Sequence, residues 1–119
     1  MIDPVSLEQA SIDTYRLHSK YYKMLNAAKS KLFELDSNRS KLLSLKNDYY
    51  LGNLDANTIQ QNNWKPFKRL VLKADLPQYI ASDDDMISIN MRINNIKIAI
   101  DFLESIIRSL NNRGFHIKN

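Results

Sequence analysis

The chain has 119 residues, 44% of them hydrophobic and 25% charged, with a net charge of +4. That length fits one small domain, and that balance excludes wholesale disorder. Two glycines and three prolines are too few turn residues for an all-β sandwich or barrel, and with no cysteine there is no disulfide, thiolate metal site or cysteine nucleophile. No stretch of 18 uncharged apolar residues offers a membrane span. Met1-Ile2-Asp3-Pro4 lacks the basic start and apolar core of a signal peptide. A soluble, intracellular, mostly helical protein is the expectation.

Between Val5 and Leu51 there is no glycine or proline. Asp3 can cap a helix start, with Pro4 at the first helical position, and Gly52 is a natural stop. Tyr21, Ala28, Leu35, Leu42 and Tyr49 recur every seven residues, and Leu17, Met24, Leu25, Leu32 and Leu45 fill the neighbouring row. A helix over 4–51 is predicted, with a kink or break near Asn38-Arg39-Ser40, where the pattern weakens. Unbroken, it would run about 70 Å, longer than a compact chain of this size is wide. The segment from Arg16 to Lys46 carries eight basic residues against two acidic ones, Glu34 and Asp36.

Residues 53–81 read as an irregular connection. Asn53 to Asn57 looks like a turn, and Gln60 to Asn63 is a polar run. Leu70-Val71-Leu72 fits an extended piece or a helical turn equally. Asp75 is placed to cap a short helix through Leu76–Ile80. Trp64-Lys65-Pro66-Phe67-Lys68-Arg69 mixes aromatics with positive charge.

Over 83–113 the pattern is the clearest in the chain. Ser82 and Asp85 are spaced as a capping box. Met86, Ile89, Ile93, Ile96, Ile100, Leu103, Ile107 and Leu110 follow at alternating spacings of three and four, an a/d seam. Ile87, Ile98, Phe102 and Ile106 widen the stripe, enough to need both the long helix of the same chain and a second subunit. Gly114 is expected to end this helix, with Arg108 and Arg113 near its C-terminal dipole. The fold class is therefore all-α. It is an elongated hairpin of long amphipathic helices with a short irregular or helical middle segment, one domain over 1–119, assembling as a helical homo-oligomer.

His18 and His116 are far apart in sequence and form no metal-ligand pattern. Asp83-Asp84-Asp85 lacks the rest of a calcium loop and reads as a solvated helix start. There is no phosphate-binding glycine loop and no nucleophile elbow. No cofactor, metal or catalytic residue is expected, so the chain is read as a non-enzyme. What remains is a basic field with interleaved rings. Arg39, Lys41, Lys46, Lys65, Lys68, Arg69 and Lys73 are candidate phosphate contacts. Tyr49, Tyr50 and Trp64 are candidate stacking platforms for single-stranded nucleic acid. The competing reading packs the rings at the hairpin's end, leaves the lysines as solvated surface and makes the chain a structural interaction module. A membrane-surface helix is the weaker third.

Lys46-Asn47-Asp48-Tyr49-Tyr50-Leu51-Gly52 resembles the basic, Asp-Tyr-Tyr-x-Gly segment of the UvsY recombination mediator proteins of T-even-like bacteriophages. Val71-Leu72-Lys73-Ala74-Asp75 is similar to that family's central segment. Ile100-Asp101-Phe102-Leu103, leading to Asn112-Arg113-Gly114-Phe115-His116-Ile117-Lys118, resembles its final helix and ending. The resemblance covers about residues 40–119. It implies a small, helical, ring-forming, non-enzymatic mediator in the cytoplasm of the infected bacterial host. It also implies three partners: single-stranded DNA, the phage single-strand-binding protein and a RecA-like recombinase of the UvsX type. It further implies a part in DNA binding for the basic residues just before Asp-Tyr-Tyr. Lys46 matches one in charge, Ser44 departs from another, and Arg39 and Lys41 lie about one turn earlier. Family members continue past the Phe-x-Ile-Lys ending with a segment that supports assembly. A ring is the expected assembly where that segment is present, and a smaller oligomer is the alternative for a chain stopping at Asn119.

Overall fold

The computed structural model describes residues 4–118, with side chains described from Ser6 to Asn112. Four helices follow in order: α1 (Pro4–Tyr50), α2 (Ala56–Gln61), α3 (Leu76–Ala81) and α4 (Asp84–Lys118). No strand occurs among the described residues. The chain divides into two compact units, Met1–Phe33 with Asn94–Asn119, and Glu34–Ile93.

Helix α1 starts at Pro4, where the missing N–H costs no intrahelical bond. The proposed cap, Asp3, lies outside the described residues. Asn38-Arg39-Ser40 lie within the helix, and no break occurs there. Gly52 ends it as expected, with a positive φ of 78°. Asn53 N–H donates to the Asp48 carbonyl and Gly52 N–H to that of Tyr49, which together close a Schellman turn. The left-handed conformation at this position is what requires glycine.

In the unit Met1–Phe33 with Asn94–Asn119, α1 runs antiparallel to α4. Leu25 of α1 is buried with Ile100, Leu103 and Ile107 of α4, and Tyr21, Ala28, Leu32 and Ile96 pack around them. His18 pairs with Asn111 near one end. Leu17 and Met24, expected on the seam, are instead largely exposed. Leu25 and Leu32 of the same row do face α4, so only part of each turn is covered.

On α4 the seam is buried as its spacing predicts: Met86, Ile89, Ile93, Ile100, Leu103, Ile107 and Leu110 are buried and Ile96 half-buried. Ile87, Ile98 and Phe102 are exposed, and Ile106 is half-buried. Each buried aliphatic side chain contributes about 1.5–3 kcal/mol relative to exposure. Gly114 does not end α4, which continues to Lys118. A glycine weakens a helix interior by about 1 kcal/mol, and without a left-handed cap it does not stop one. Arg108 therefore lies well before the last turn. The side chain of Arg113 and those after it lie outside the described residues.

Local capping departs from expectation at both ends of α3. Asp75 occupies the N-cap position but makes no side-chain cap bond. Ser82 does not open α4; its hydroxyl turns back to donate to the Gln78 carbonyl of α3. Asp83 caps α4 instead, its carboxylate accepting from Met86 N–H. The expected turn at 53–57 leads directly into α2, capped by Asp55, which accepts from both the N–H and the hydroxyl of Thr58. These bonds hold the Asp55 carboxyl below the usual carboxylate value.

Replacing Leu103 by Ala should lower stability by about 2–4 kcal/mol, through lost burial and the cavity left behind. The exposed neighbour Lys97→Ala should change it by less than about 0.5 kcal/mol. Urea unfolding followed by helical circular dichroism measures both.

Candidate nucleic-acid interface

The candidate residues other than those on the α4 seam all fall in the unit Glu34–Ile93, and the structure sorts them into two groups. One group packs the end of α1 against the connecting segment. Tyr49 stacks on Trp64 with centroids 5.3 Å apart and planes at 29°. Tyr50 meets Phe67 edge-on at 5.0 Å. Tyr79 of α3 closes the cluster against Tyr50 and Phe67. Offset and edge-on pairs of this kind each add roughly 0.5–1.5 kcal/mol beyond the area they bury. The polar ends are also engaged. Tyr49 hydroxyl donates to the Lys65 carbonyl, Tyr50 hydroxyl to Asp83 at 2.6 Å, and the Trp64 indole N–H to Asp85 at 2.9 Å. Tyr49, Tyr50 and Trp64, read from sequence as stacking platforms, thus spend their faces and donors on one another and on the chain.

Lys46 belongs to the same group. Its ammonium lies 2.9 Å from Asp83 and 2.8 Å from Asp85, and 3.9 Å from the centre of the Trp64 ring. Its side chain and that of Asp83 are each only 5% exposed. Two carboxylates and a ring face satisfy an ammonium with three N–H groups. As placed, this lysine does not offer its charge to a phosphate. Asp83, expected on a solvated helix start, is the buried hub. Burial works to raise its pKa. Hydrogen bonds from Tyr50, Lys46 and Met86 N–H, with the Lys46 charge, outweigh that and hold it below the usual carboxylate value. Burial, followed by the hydrogen bond to Asp83, pushes the Tyr50 phenol well above its ordinary value.

The second group is exposed. Lys65, Lys68, Arg69 and Lys73 lie on the segment between α2 and α3, and Lys41 lies on the outer side of α1. Leu70 is 94% exposed and Leu72 64%, while Val71 between them is buried and tethers the segment. Arg39 is half-buried, and its Nε–H donates to Asn90 of α4 at 2.6 Å. That contact leaves its charge unneutralised, since asparagine is neutral. Sequence reasoning missed Asp83, Asp85 and Tyr79 as parts of this construction. Their partners lie up to 39 positions away, and no local spacing announces such a pairing. Among the described residues no group of carboxylates or histidines could hold a metal ion, and no helix is long and apolar enough to cross a membrane.

Against known proteins, the whole chain, residues 1–119, matches the family described as "Recombination, repair and ssDNA binding protein UvsY". The chain belongs to the UvsY family. The recombination protein uvsY of Enterobacteria phage T4 is 20% identical over 118 residues, spanning 99% of this chain and 81% of that protein. Crystal structures of the bacteriophage T4 recombination mediator protein UvsY in two lattice types share the fold. They have TM-scores of 0.78 and 0.77 at 20% identity, over 99% of this chain and 83% and 81% of theirs. The all-α fold and the family resemblance read from sequence both stand on these matches. UvsY proteins are recombination, repair and single-stranded-DNA-binding proteins.

Replacing Lys46 by Ala strands a buried carboxylate and should cost about 3 kcal/mol or more of stability, measured by urea unfolding. The pH dependence follows from the depressed Asp83 pKa. Its contribution is fully present above the unfolded carboxylate value of 3.8 and is lost as pH falls from there through the lower folded value. Unfolding free energy of the native chain should therefore drop as pH falls below 3.8. In Asp83→Asn that drop should be shallower.

Proposed function

We propose that this chain is a recombination mediator that binds single-stranded DNA through the exposed cations of the connecting segment. It would help a RecA-like recombinase of the UvsX type replace the phage single-strand-binding protein on DNA. It turns over no substrate in this reading and acts in the cytoplasm of the infected host. The observation that carries the reading is a family of single-stranded-DNA-binding proteins in which this chain presents Lys65, Lys68, Arg69 and Lys73 exposed within ten residues. Lys41 and Arg39 extend the positive field on α1. Each phosphate neutralised releases condensed counterions, which gives affinity without sequence preference. That suits a protein that must act wherever a single strand is exposed.

Homo-oligomerisation belongs to the same reading. Ile98 and Phe102 of α4 are exposed apolar positions that a second copy of the chain would cover. Several subunits on one strand would turn weak contacts into avidity.

Anisotropy of a labelled oligo-dT, titrated at low and moderate salt beside duplex of equal length, tests the reading. Single-strand binding that falls steeply with salt is expected. Lys68→Glu/Arg69→Glu should weaken it by about tenfold or more. It should also flatten the log–log salt slope by about 1.4, at about 0.7 per lost contact. An unchanged slope removes these two residues from the footprint. No binding at low salt favours the purely structural helical module.

A further inference from the structure

The sequence offers Lys46 as a phosphate contact, but the geometry gives its charge another use. The ammonium sits between Asp83 and Asp85, at 2.9 and 2.8 Å, and over the Trp64 ring at 3.9 Å. Asp85 also accepts the Trp64 indole N–H, so one carboxylate grips both the lysine and the ring. Trp64 immediately precedes Lys65, the first exposed cation of the connecting segment. Tyr49 stacks on Trp64 and its hydroxyl holds the Lys65 carbonyl. A chain of direct contacts therefore runs from Lys46 through Trp64 to the backbone that presents the segment. A phosphate approaching Lys46 would have to displace two carboxylates from a side chain that is 5% exposed.

We propose that Lys46 is a positioning residue for DNA binding. With Asp83 and Asp85 it clamps Trp64 and so fixes the start of the basic segment 65–73, and it does not itself neutralise a phosphate. This rests on the reading of that segment as the DNA surface. The clamp gives two acidic residues a favourable role in binding a polyanion. That is the reverse of what charge alone predicts.

The sign makes the test. If Lys46 contacted phosphate, removing its carboxylate partners would free it and add positive charge, and DNA binding would tighten. The clamp requires the opposite. In the full chain, Asp85→Asn and Asp83→Asn/Asp85→Asn are expected to weaken oligo-dT binding about three- to tenfold, although each raises the net charge. Trp64 is the only tryptophan, so its fluorescence reports on the clamp directly. Acrylamide should quench it more strongly in both variants. Lys46→Met should cost affinity in the native background and little more in the double-Asn background, the non-additivity of residues that act as a unit.

Asp85 is 52% exposed, so Asp85→Asn carries the test if the double variant fails to fold by circular dichroism. Tighter binding by the Asn variants, unchanged Trp64 quenching, or an equal Lys46→Met penalty in both backgrounds overturns the clamp. If Lys68→Glu/Arg69→Glu weakens binding while the Asn variants tighten it, the clamp alone has failed. If that charge reversal changes nothing, the segment is not the surface and the clamp falls with it.

Discussion

A charged side chain leaves water only when its surroundings replace the hydration it loses. Lys46 does so at the end of α1, and the unit Glu34–Ile93 is arranged around meeting that demand. One carboxylate, Asp83, serves three groups at once. It faces the ammonium, accepts the Tyr50 hydroxyl, and caps α4 through Met86 N–H. The last turn of α1 and the first turn of α4 are therefore fixed by the same two oxygens. No buried side-chain polar atom among the described residues lacks a partner, which is the condition under which such a network rigidifies rather than weakens its surroundings. An apolar side chain in place of Asp83 would leave the Tyr50 hydroxyl and the Met86 N–H without their acceptor as well as the Lys46 ammonium without one of its carboxylates.

The long elements were legible because their information is local. The three-and-four spacing from Met86 to Leu110 names the buried face of α4 directly, and Gly52 marks the end of α1 because only glycine takes its conformation without strain. The failures are of two kinds. Near helix ends, several residues compete to cap and the winner depends on geometry beyond one turn, so Asp83 displaced Ser82 and α4 passed through Gly114. In the candidate site the missing information is non-local. Nothing around Lys46 says that it will be buried, and nothing around Asp83 says that a lysine will find it. At the end of α1 a basic residue does lie among rings, as Lys46 sits over Trp64. Lys46, Tyr49, Tyr50 and Trp64 were assigned to a ligand-facing surface and are instead packed into the fold, because lysine and aromatic side chains serve in both places.

The segment between α2 and α3 lies outside regular structure. On a helix, four cations within ten residues would point in directions fixed by the 3.6-residue period. Outside regular structure they follow a path set by tethers instead. Trp64 and Phe67 hold one end in the ring cluster, Val71 is buried further along, and α3 begins at Leu76. Between these fixed points Lys65, Lys68, Arg69 and Lys73 are exposed, with Leu70 and Leu72 exposed among them. A path pinned at intervals loses less conformational entropy when it binds than a free loop of the same length, so more of the electrostatic attraction survives as affinity.

Charge counted from sequence is therefore not the charge a ligand meets. Lys46 is neutralised by Asp83 and Asp85, and that trio is net negative, so a positive residue in the count contributes no positive field at the surface. Arg39 keeps its charge because its partner is an asparagine. Lys65, Lys68, Arg69 and Lys73 keep theirs by exposure. Counterion release depends on cations that reach phosphates, so an exposed cation can contribute to it where a buried, paired one does not. A cation packed into the fold, Lys46, and an exposed one, Lys41, thus lie five residues apart on α1. The carboxylates at the start of α4 make that difference, because Asp83 and Asp85 pair with Lys46.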